Sequence, residues 1–247
     1  MTPTDPIVIA AVARTPLGGF QAGLSHATAP ALGAHAIQAA LVRAGVSPEQ
    51  VDELYMGCVL PAGLGQAPAR QAALQAGLPF ATACTTISKV CGSGMKAVML
   101  AHDTLLAGQA QVIVAGGMES MSNAPYLLPK ARAGQRLGHG QMLDHMFLDG
   151  LEDAYAPETR GQLMGHFAEQ CAREYGFARQ DQDAFAIAST TRARQAIEQG
   201  AFAWEIEPVR HATRAGDTVV EHDEQPLKAQ LDKIPQLKPA FGEDGTV

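Results

Sequence analysis

The stretch ACTTISKVCGSGMKAVMLAHDTLLAGQAQVIVAGG, residues 83–117, decides the fold of this chain. Residues 83–90 predict a strand, and the glycine-rich turn Cys91-Gly92-Ser93-Gly94 follows them. Side chains at helical spacing then mark one face of a helix that ends at Gly108: Met95, Val98, Met99, His102 and Leu106. Residues 111–115 return as a strand into Gly116-Gly117. This order predicts a βαβ unit with a cysteine in its first turn.

The residues before this unit repeat the alternation of apolar runs and helical patterns. Residues 7–12 are a β-branched run bounded by prolines, which predicts a buried strand. Further elements follow in order: a helix at 28–44 stopped by Gly45, a capping box at 47–50, a strand at 54–60 and a helix at 67–75 closed by Gly77. The fold class is therefore α/β, with a buried and largely parallel sheet.

The pattern of the sequence changes after about Ser120. Prolines and glycines then create a long irregular region, which predicts a separate lobe. Two helices are expected at 164–175 and 180–199, and strand-like runs at 205–209 and 218–221 flank a turn.

Composition narrows the function classes. The net charge of −7 argues against a nucleic-acid binder, and no apolar run is long enough to span a membrane. The start Met-Thr-Pro-Thr-Asp-Pro has no basic region before an apolar run, so we expect a soluble cytoplasmic protein. Four scattered cysteines fit a reducing compartment rather than a disulfide framework. Their spacing does not suggest a metal site, and we expect none.

Cys91 is the candidate nucleophile. A cysteine at a helix amino terminus is stabilised as the thiolate, and its pKa can fall to roughly 3.5–7.5. Gly92 and Gly94 remove side chains from this turn, so a thioester could approach and a backbone N–H could bind its oxyanion. The alternative is that Cys91 is a small buried apolar residue and the glycines only make a tight turn.

The chain resembles the thiolase family. The nucleophile motif of that family, Asn or Ser, any residue, Val-Cys-X-Ser-Gly followed by a helix, stands here as Ser88-Lys89-Val90-Cys91-Gly92-Ser93-Gly94. Further segments match in order over essentially the whole chain: RTPLG at 14–18, GGMESMS at 116–122, DQDAFA at 181–186 and LKPAF at 237–241.

The resemblance implies a five-layered αβαβα fold built from two similar halves, with a coenzyme-A-binding loop domain inserted in the first half. Residues 1–120 would be the first half with the nucleophile, 121–240 the loop domain, and 241–247 the return toward the remainder. Cys91 would take the acyl group from an acyl-CoA and pass it to acetyl-CoA or free CoA, which is covalent catalysis. No cofactor is implied beyond coenzyme A thioesters as substrates.

Two coenzyme A contacts carry over by the same resemblance. A His-Met-Gly motif of the family matches Leu163-Met164-Gly165, so Met164 is the predicted pantetheine contact, although the histidine is absent. The alternative is that these residues simply begin a helix. Arg214 matches a basic residue near the adenine end of coenzyme A, and a solvated loop arginine is the alternative.

The family also uses a histidine in Gly-His-Pro, an asparagine in an Asn-Ala-Ser segment and a second cysteine in Cys-X-Gly, and these 247 residues contain none of the three. We therefore expect this stretch to be the amino-terminal portion of a longer or split enzyme, inactive alone and homo-oligomeric, as a dimer or tetramer, when complete. The expected activity is that of an acetyl-CoA C-acetyltransferase, which forms or cleaves acetoacetyl-CoA. The alternatives are a broader 3-ketoacyl-CoA thiolase of fatty-acid degradation and a non-catalytic assembly subunit.

Overall fold

A computed structural model describes residues 6–213 and 216–247 of the chain. The chain divides into two compact units. The first contains the described residues up to Pro125 together with Trp204–His222, and the second contains Tyr126–Ala203 and Asp223–Val247.

The first unit is built on a parallel three-stranded sheet. Its strands are β1 (Glu53–Gly57), β2 (Ala83–Ile87) and β3 (Ile113–Gly117), in the order β2-β1-β3. Its helices are α1 (Ala29–Ala44), α2 (Pro68–Gln75) and α3 (Ser93–Leu106), with a 3-10 turn at Pro48–Gln50. The predicted α/β class and the central βαβ unit are confirmed.

Alternation along β1 places a helical layer on each face of the sheet. Leu54 and Met56 are buried in a core with residues of α1 and α2. Tyr55, between them, points to the opposite face and packs with Ala97 and Ala101 of α3. The sheet is therefore a middle layer between α1 and α2 on one side and α3 on the other.

Local signals account for the ends of α1. The Thr28 hydroxyl accepts a hydrogen bond from the Ala31 N–H, and Pro30 lies in the first turn. Gly45 ends the helix in the left-handed conformation at φ 64°. The predicted helix at 28–44 is confirmed within one residue.

The first turn of α3 lies directly on the backbone of the sheet. A Cβ atom added at Gly57 in β1 would lie 2.7 Å from the Ser93 Cβ and 2.8 Å from the Gly94 N. A Cβ added at Gly117 in β3 would lie 3.5 Å from the Gly94 Cα. Glycines at these positions let the helix start approach the carboxyl ends of β1 and β3 at backbone distance.

The face of α3 that contacts the sheet is its small-residue face. Ser93, Ala97 and Ala101 are buried, whereas the predicted apolar face is uncovered. Met95 on that face is 73% exposed, and Val98, Met99 and Leu106 are also exposed. The helix is correctly predicted, but the larger apolar side chains of its predicted face do not pack on this sheet.

The prediction of a buried strand at residues 7–12 is wrong. These residues are not in a strand, and Ile9 is 77% exposed. A β-branched run becomes a strand only where a neighbouring strand offers hydrogen bonds. Here backbone pairing begins only at Arg14, which exchanges hydrogen bonds with Glu205 and Glu207.

The strand predicted at 83–90 is shorter, and it is less buried than expected. It ends at Ile87 and lies at an edge of the described sheet, with side chains that are half-buried or exposed. The strand cannot reach its predicted end, because Val90 adopts φ 47°, which no strand contains.

The second unit is mainly helical. Its elements are the short pair β4 (Tyr126–Leu127) and β5 (Leu143–Asp144), a π-helical turn at Phe147–Leu151, α4 (Met164–Tyr175), α5 (Arg179–Glu198), α6 (Glu224–Lys228) and a 3-10 segment at Leu231–Gln236. The two predicted long helices are confirmed within one residue.

A buried carboxylate joins α4 to the end of the described chain. Glu169 is 4% exposed and accepts hydrogen bonds from the backbone N–H groups of Thr246 and Val247. The hydrogen bond from Val247, then that from Thr246, hold the pKa of the Glu169 carboxyl below its usual value.

The bounds predicted for the strand at 205–209 are wrong, because β6 (Val209–Thr213) shares only Val209 with that range. The strand predicted at 218–221 corresponds to β7 (Gly216–Val220), which begins two residues earlier and pairs antiparallel with β6 in a hairpin. This hairpin belongs to the first unit. The compact units therefore do not follow the expected division at residues 120 and 240. Assignment of residues 121–240 to a coenzyme-A-binding domain stays a prediction.

Among the described residues, no helix combines the length and the apolar character that crossing a bilayer requires.

We predict that Gly57→Ala destabilises the first unit by roughly 1–3 kcal/mol, because the new methyl group has no space against Ser93 and Gly94. Urea unfolding measures the loss. Gly116→Ala is the matched control, since its added Cβ would only meet Met56 at an ordinary 3.5 Å. An unfolding midpoint of Gly57→Ala equal to that of the unmodified protein would contradict the backbone contact.

We predict that Glu169→Gln lowers stability at pH 7 and that this deficit shrinks on acidification. A lowered folded-state pKa contributes stability above the unfolded value of 4.5, and the contribution is lost as the pH falls through the folded value. Urea midpoints at pH 7 and pH 3.5 test this. Glu174→Gln, exposed on the same helix, is the control. A deficit independent of pH would refute the prediction.

Candidate active site

The carboxyl edge of the sheet gathers the loops that follow its three strands. Cys58 begins the loop after β1, the turn with Cys91 follows β2, and Glu119 lies just after β3. In open α/β sheets, this edge is where ligands bind. The geometry therefore places the candidate nucleophile in a favourable position for chemistry.

Cys91 is solvent-exposed and lies two residues before the first residue of α3. The predicted position at a helix amino terminus and after a strand is confirmed, although that strand is not a buried one. At such a position, helical N–H groups point toward a negative charge on the sulfur or on a bound substrate.

The turn before Cys91 is strained. Val90 has φ 47°, in the left-handed region that β-branched residues rarely adopt. Such a conformation costs roughly 1–3 kcal/mol and persists only where the surrounding structure enforces it.

A buried serine supplies two hydrogen bonds to this turn. The Ser93 hydroxyl accepts from the Lys89 N–H at 2.7 Å and donates to the Val90 carbonyl at 2.6 Å. The backbone N–H of Ser93 donates to the same carbonyl at 3.1 Å. These contacts close a small ring of hydrogen bonds around Val90.

The two glycines of the turn have different roles. A Cβ added at Gly92 would meet only the Lys89 carbonyl oxygen, at 3.5 Å, so the space beside Cys91 is open as predicted. Gly94 instead faces the backbone of Gly116 and Gly117. It serves helix–sheet contact rather than access to the sulfur.

Glu119 organises the neighbouring loop. Its carboxylate accepts hydrogen bonds from the N–H groups of Val59 and Leu60, at 2.8 and 3.3 Å, and lies 3.9 Å from the Cys58 sulfur. This residue fixes the loop after β1 to the end of β3. Glu119 belongs to the GGMESMS segment at 116–122, but the sequence predicted no role for it.

The four thiols lie in different surroundings. Burial, together with the charge of Glu119, raises the pKa of Cys58 to about 11. Burial also raises the pKa of Cys84. Cys171 is exposed but lies in the middle of α4 rather than at a helix start. Of the four, Cys91 alone combines exposure with a helix amino terminus.

The predicted coenzyme A contacts lie elsewhere in the chain. Met164 is the first residue of α4, in the second unit, and is half exposed. Arg214 lies outside the described residues. Both assignments stay predictions.

The second unit contains a cavity of about 290 Å³ beside the pair β4 and β5. Its lining combines the carboxylates of Asp144 and Glu152 with the side chains of Tyr126, Met142, Leu143, Phe147 and Leu148. Within residues 6–213 and 216–247, no three His, Cys, Asp or Glu side chains are grouped so that they could hold a metal ion.

Ser93 and Val90 are the site residues that the sequence interpretation missed. A serine at the start of a helix is a recognisable signal, because serine hydroxyls satisfy backbone groups at helix ends. No local signal marks a valine for a positive φ.

Comparison with known proteins identifies one family, and two relatives share one named activity. Residues 7–247 match the family described as thiolase, N-terminal domain. The chain is 50% identical to acetyl-CoA acetyltransferase 1 of Arabidopsis thaliana, over 99% of this chain and 58% of that protein. It is 49% identical to acetyl-CoA acetyltransferase of Cupriavidus necator, over 99% of this chain and 61% of that protein. The chain thus spans about three fifths of the length of these relatives.

Proposed function

Because the chain belongs to the thiolase family, we propose that it is the nucleophile-bearing portion of an acetyl-CoA C-acetyltransferase. The observation that carries the proposal is Cys91, exposed in a strained turn at the amino terminus of α3 on the carboxyl edge of the parallel sheet. The acetyl-CoA acetyltransferase activity named for these relatives favours the acetyl-specific reaction over that of the broader 3-ketoacyl-CoA thiolase.

In the proposed acylation step, the Cys91 thiolate attacks the carbonyl carbon of acetyl-CoA. Backbone N–H groups at the helix start stabilise the oxyanion that forms. The bond between the carbonyl carbon and the coenzyme A sulfur then breaks. Coenzyme A leaves as a thiolate and takes up a proton, and acetyl-Cys91 remains.

The second step transfers the acetyl group. A second acetyl-CoA loses a proton from its methyl carbon, and that carbon attacks acetyl-Cys91 to give acetoacetyl-CoA and the free thiolate. In the reverse direction, the Cys91 thiolate attacks acetoacetyl-CoA and releases acetyl-CoA. The thiol of free coenzyme A then attacks acetyl-Cys91, which gives a second acetyl-CoA and frees Cys91.

Each direction needs groups that move protons. The thiolase resemblance assigns this work to a histidine in Gly-His-Pro and a cysteine in Cys-X-Gly, and neither motif occurs in these 247 residues. We propose that this chain can form the acetyl-enzyme slowly but cannot complete the cycle alone, since general acid–base assistance contributes about 10²–10⁴ in rate.

The proposal extends to partners and location. Acetyl-CoA, acetoacetyl-CoA and free coenzyme A would be the substrates, with Met164 contacting the pantetheine and Arg214 the adenine end. The completed enzyme would be a cytoplasmic homo-oligomer. The net charge of −7 supports the expectation that nucleic acid is not a partner.

In the completed enzyme, we expect substoichiometric iodoacetamide at neutral pH to label Cys91 before the other three cysteines of this chain, and acetyl-CoA to protect it. In the isolated 247-residue chain, the preference for Cys91 should be weaker, because the histidine expected to pair with the thiol is absent. Peptide mass spectrometry measures both effects. Cys171 is the decisive internal comparison, because it is exposed but lies within a helix. Equal labelling of Cys91 and Cys171, or no protection by acetyl-CoA, would refute Cys91 as the nucleophile.

We expect acetoacetyl-CoA cleavage only when the missing proton-transfer groups are supplied. The cleavage of acetoacetyl-CoA in the presence of free coenzyme A is measured for three proteins. They are the 247-residue chain, its fusion to the portion of the Cupriavidus necator relative that it does not match, and that fusion with Cys91→Ser. The second alone should be active. Comparable activity in the short chain would overturn the proposed division of roles, and full activity with Cys91→Ser would overturn the nucleophile.

A further inference from the structure

We propose that Ser93 is a positioning residue for Cys91, whose hydroxyl holds Val90 in the left-handed conformation and so fixes the direction of the thiol. This inference rests on the proposed function, because it assumes that Cys91 is the nucleophile. It adds a residue whose role none of the comparisons assigns, and it makes the strain at Val90 part of the site.

The hydrogen bonds of Ser93 point to the loop rather than to the helix. Its hydroxyl accepts from the N–H of Lys89, which precedes the helix, and donates to the Val90 carbonyl. A helix-capping serine instead stands at the N-cap, here occupied by Gly92, and accepts from N–H groups inside the helix. The Ser93 side chain therefore constrains the turn that carries Cys91.

The geometry leaves Ser93 little freedom. The residue is 3% exposed, and its Cβ lies where a side chain on Gly57 would have to be. The hydroxyl is consequently held at the sheet, and the loop is held to the hydroxyl. Val90, by contrast, is exposed and is not held by burial of its own side chain.

Cys91 lies between these two constraints. On one side, the backbone of Val90 is fixed at φ 47°, and on the other, Gly92 and Ser93 begin the helix. Loss of the hydroxyl removes two hydrogen bonds of this turn and leaves those that the backbone N–H groups of Gly92 and Ser93 donate. Val90 would then adopt a negative φ more often, because the left-handed conformation is unfavourable for a β-branched residue. The Cα–Cβ bond of Cys91 would then swing away from the helix axis and its N–H groups.

The test is a double-mutant cycle on Ser93→Ala and Val90→Gly, with Thr85→Val as the matched control. Glycine adopts the left-handed conformation without cost, so the hydroxyl should matter less when residue 90 is glycine. Thr85 is an exposed hydroxyl residue of β2, outside the nucleophile motif. The readout is the rate of iodoacetamide alkylation of Cys91 between pH 6 and pH 10, divided by the rate for Cys171 in the same molecule.

Labelling of buried Cys58 reports unfolding in the same experiment. A variant that only unfolds exposes Cys58, whereas a repositioned turn leaves Cys58 protected. Urea midpoints of all variants provide a second, independent check on folding.

We expect Ser93→Ala to lower the normalised rate at pH 7 about tenfold, and much less at pH 10, with Cys58 still protected. In the Val90→Gly background, the same substitution should lower it less than about twofold. Thr85→Val should have no effect.

Equal losses from Ser93→Ala in the two backgrounds, or an unchanged pH–rate profile, would overturn the positioning role. Exposure of Cys58 in Ser93→Ala would also overturn it, since the hydroxyl would then support the fold and not the turn alone. Failure of the proposed function would give a different result. In the unmodified protein, Cys91 would be alkylated no faster than Cys171, and acetyl-CoA would not protect it.

Discussion

The contact between the start of α3 and the ends of β1 and β3 sets the geometry of everything around Cys91. Side chains normally keep a helix at a distance from the sheet on which it packs. Here Gly57 and Gly117 on the strands, and Gly94 on the helix, allow backbone to meet backbone. The first helical N–H groups therefore lie at the carboxyl edge of the sheet, where the loops of all three strands meet.

That contact explains how strain at Val90 can persist. A left-handed valine is unfavourable, and a free loop would relax it. The loop is not free, because Ser93 is buried against Gly57 and ties Lys89 and Val90 by hydrogen bonds. The energy of helix–sheet packing thus supports a conformation that the turn would not adopt alone, and the thiol is presented to solvent as a result.

The sequence could predict the parts of this arrangement that depend on local signals. Both ends of α1 and the carboxyl end of α4 follow from Thr28, Gly45 and Gly176, which act within a few residues of the helix. The run at 7–12 was predicted wrongly because a strand depends on a partner, and periodicity cannot show whether one is present. The φ of Val90 and the buried hydrogen bonds of Glu169 arise from tertiary contacts over distances that no short motif encodes.

Burial, neighbouring charge and position on a helix distinguish four cysteines of identical covalent chemistry. Cys58 is buried beside the Glu119 carboxylate, which disfavours its thiolate, and burial acts in the same direction on Cys84. Cys171 is exposed, but the N–H groups around it are already bonded within α4. Cys91 is exposed at a helix start, where the N–H groups of Gly92 and Ser93 donate to the carbonyls of Lys89 and Val90. In the first turn of a helix, backbone N–H groups lack helical partners. The selectivity expected for Cys91 therefore rests on backbone geometry: glycines that let the helix approach the sheet, a serine that is hydrogen-bonded to the turn, and a valine in a strained conformation.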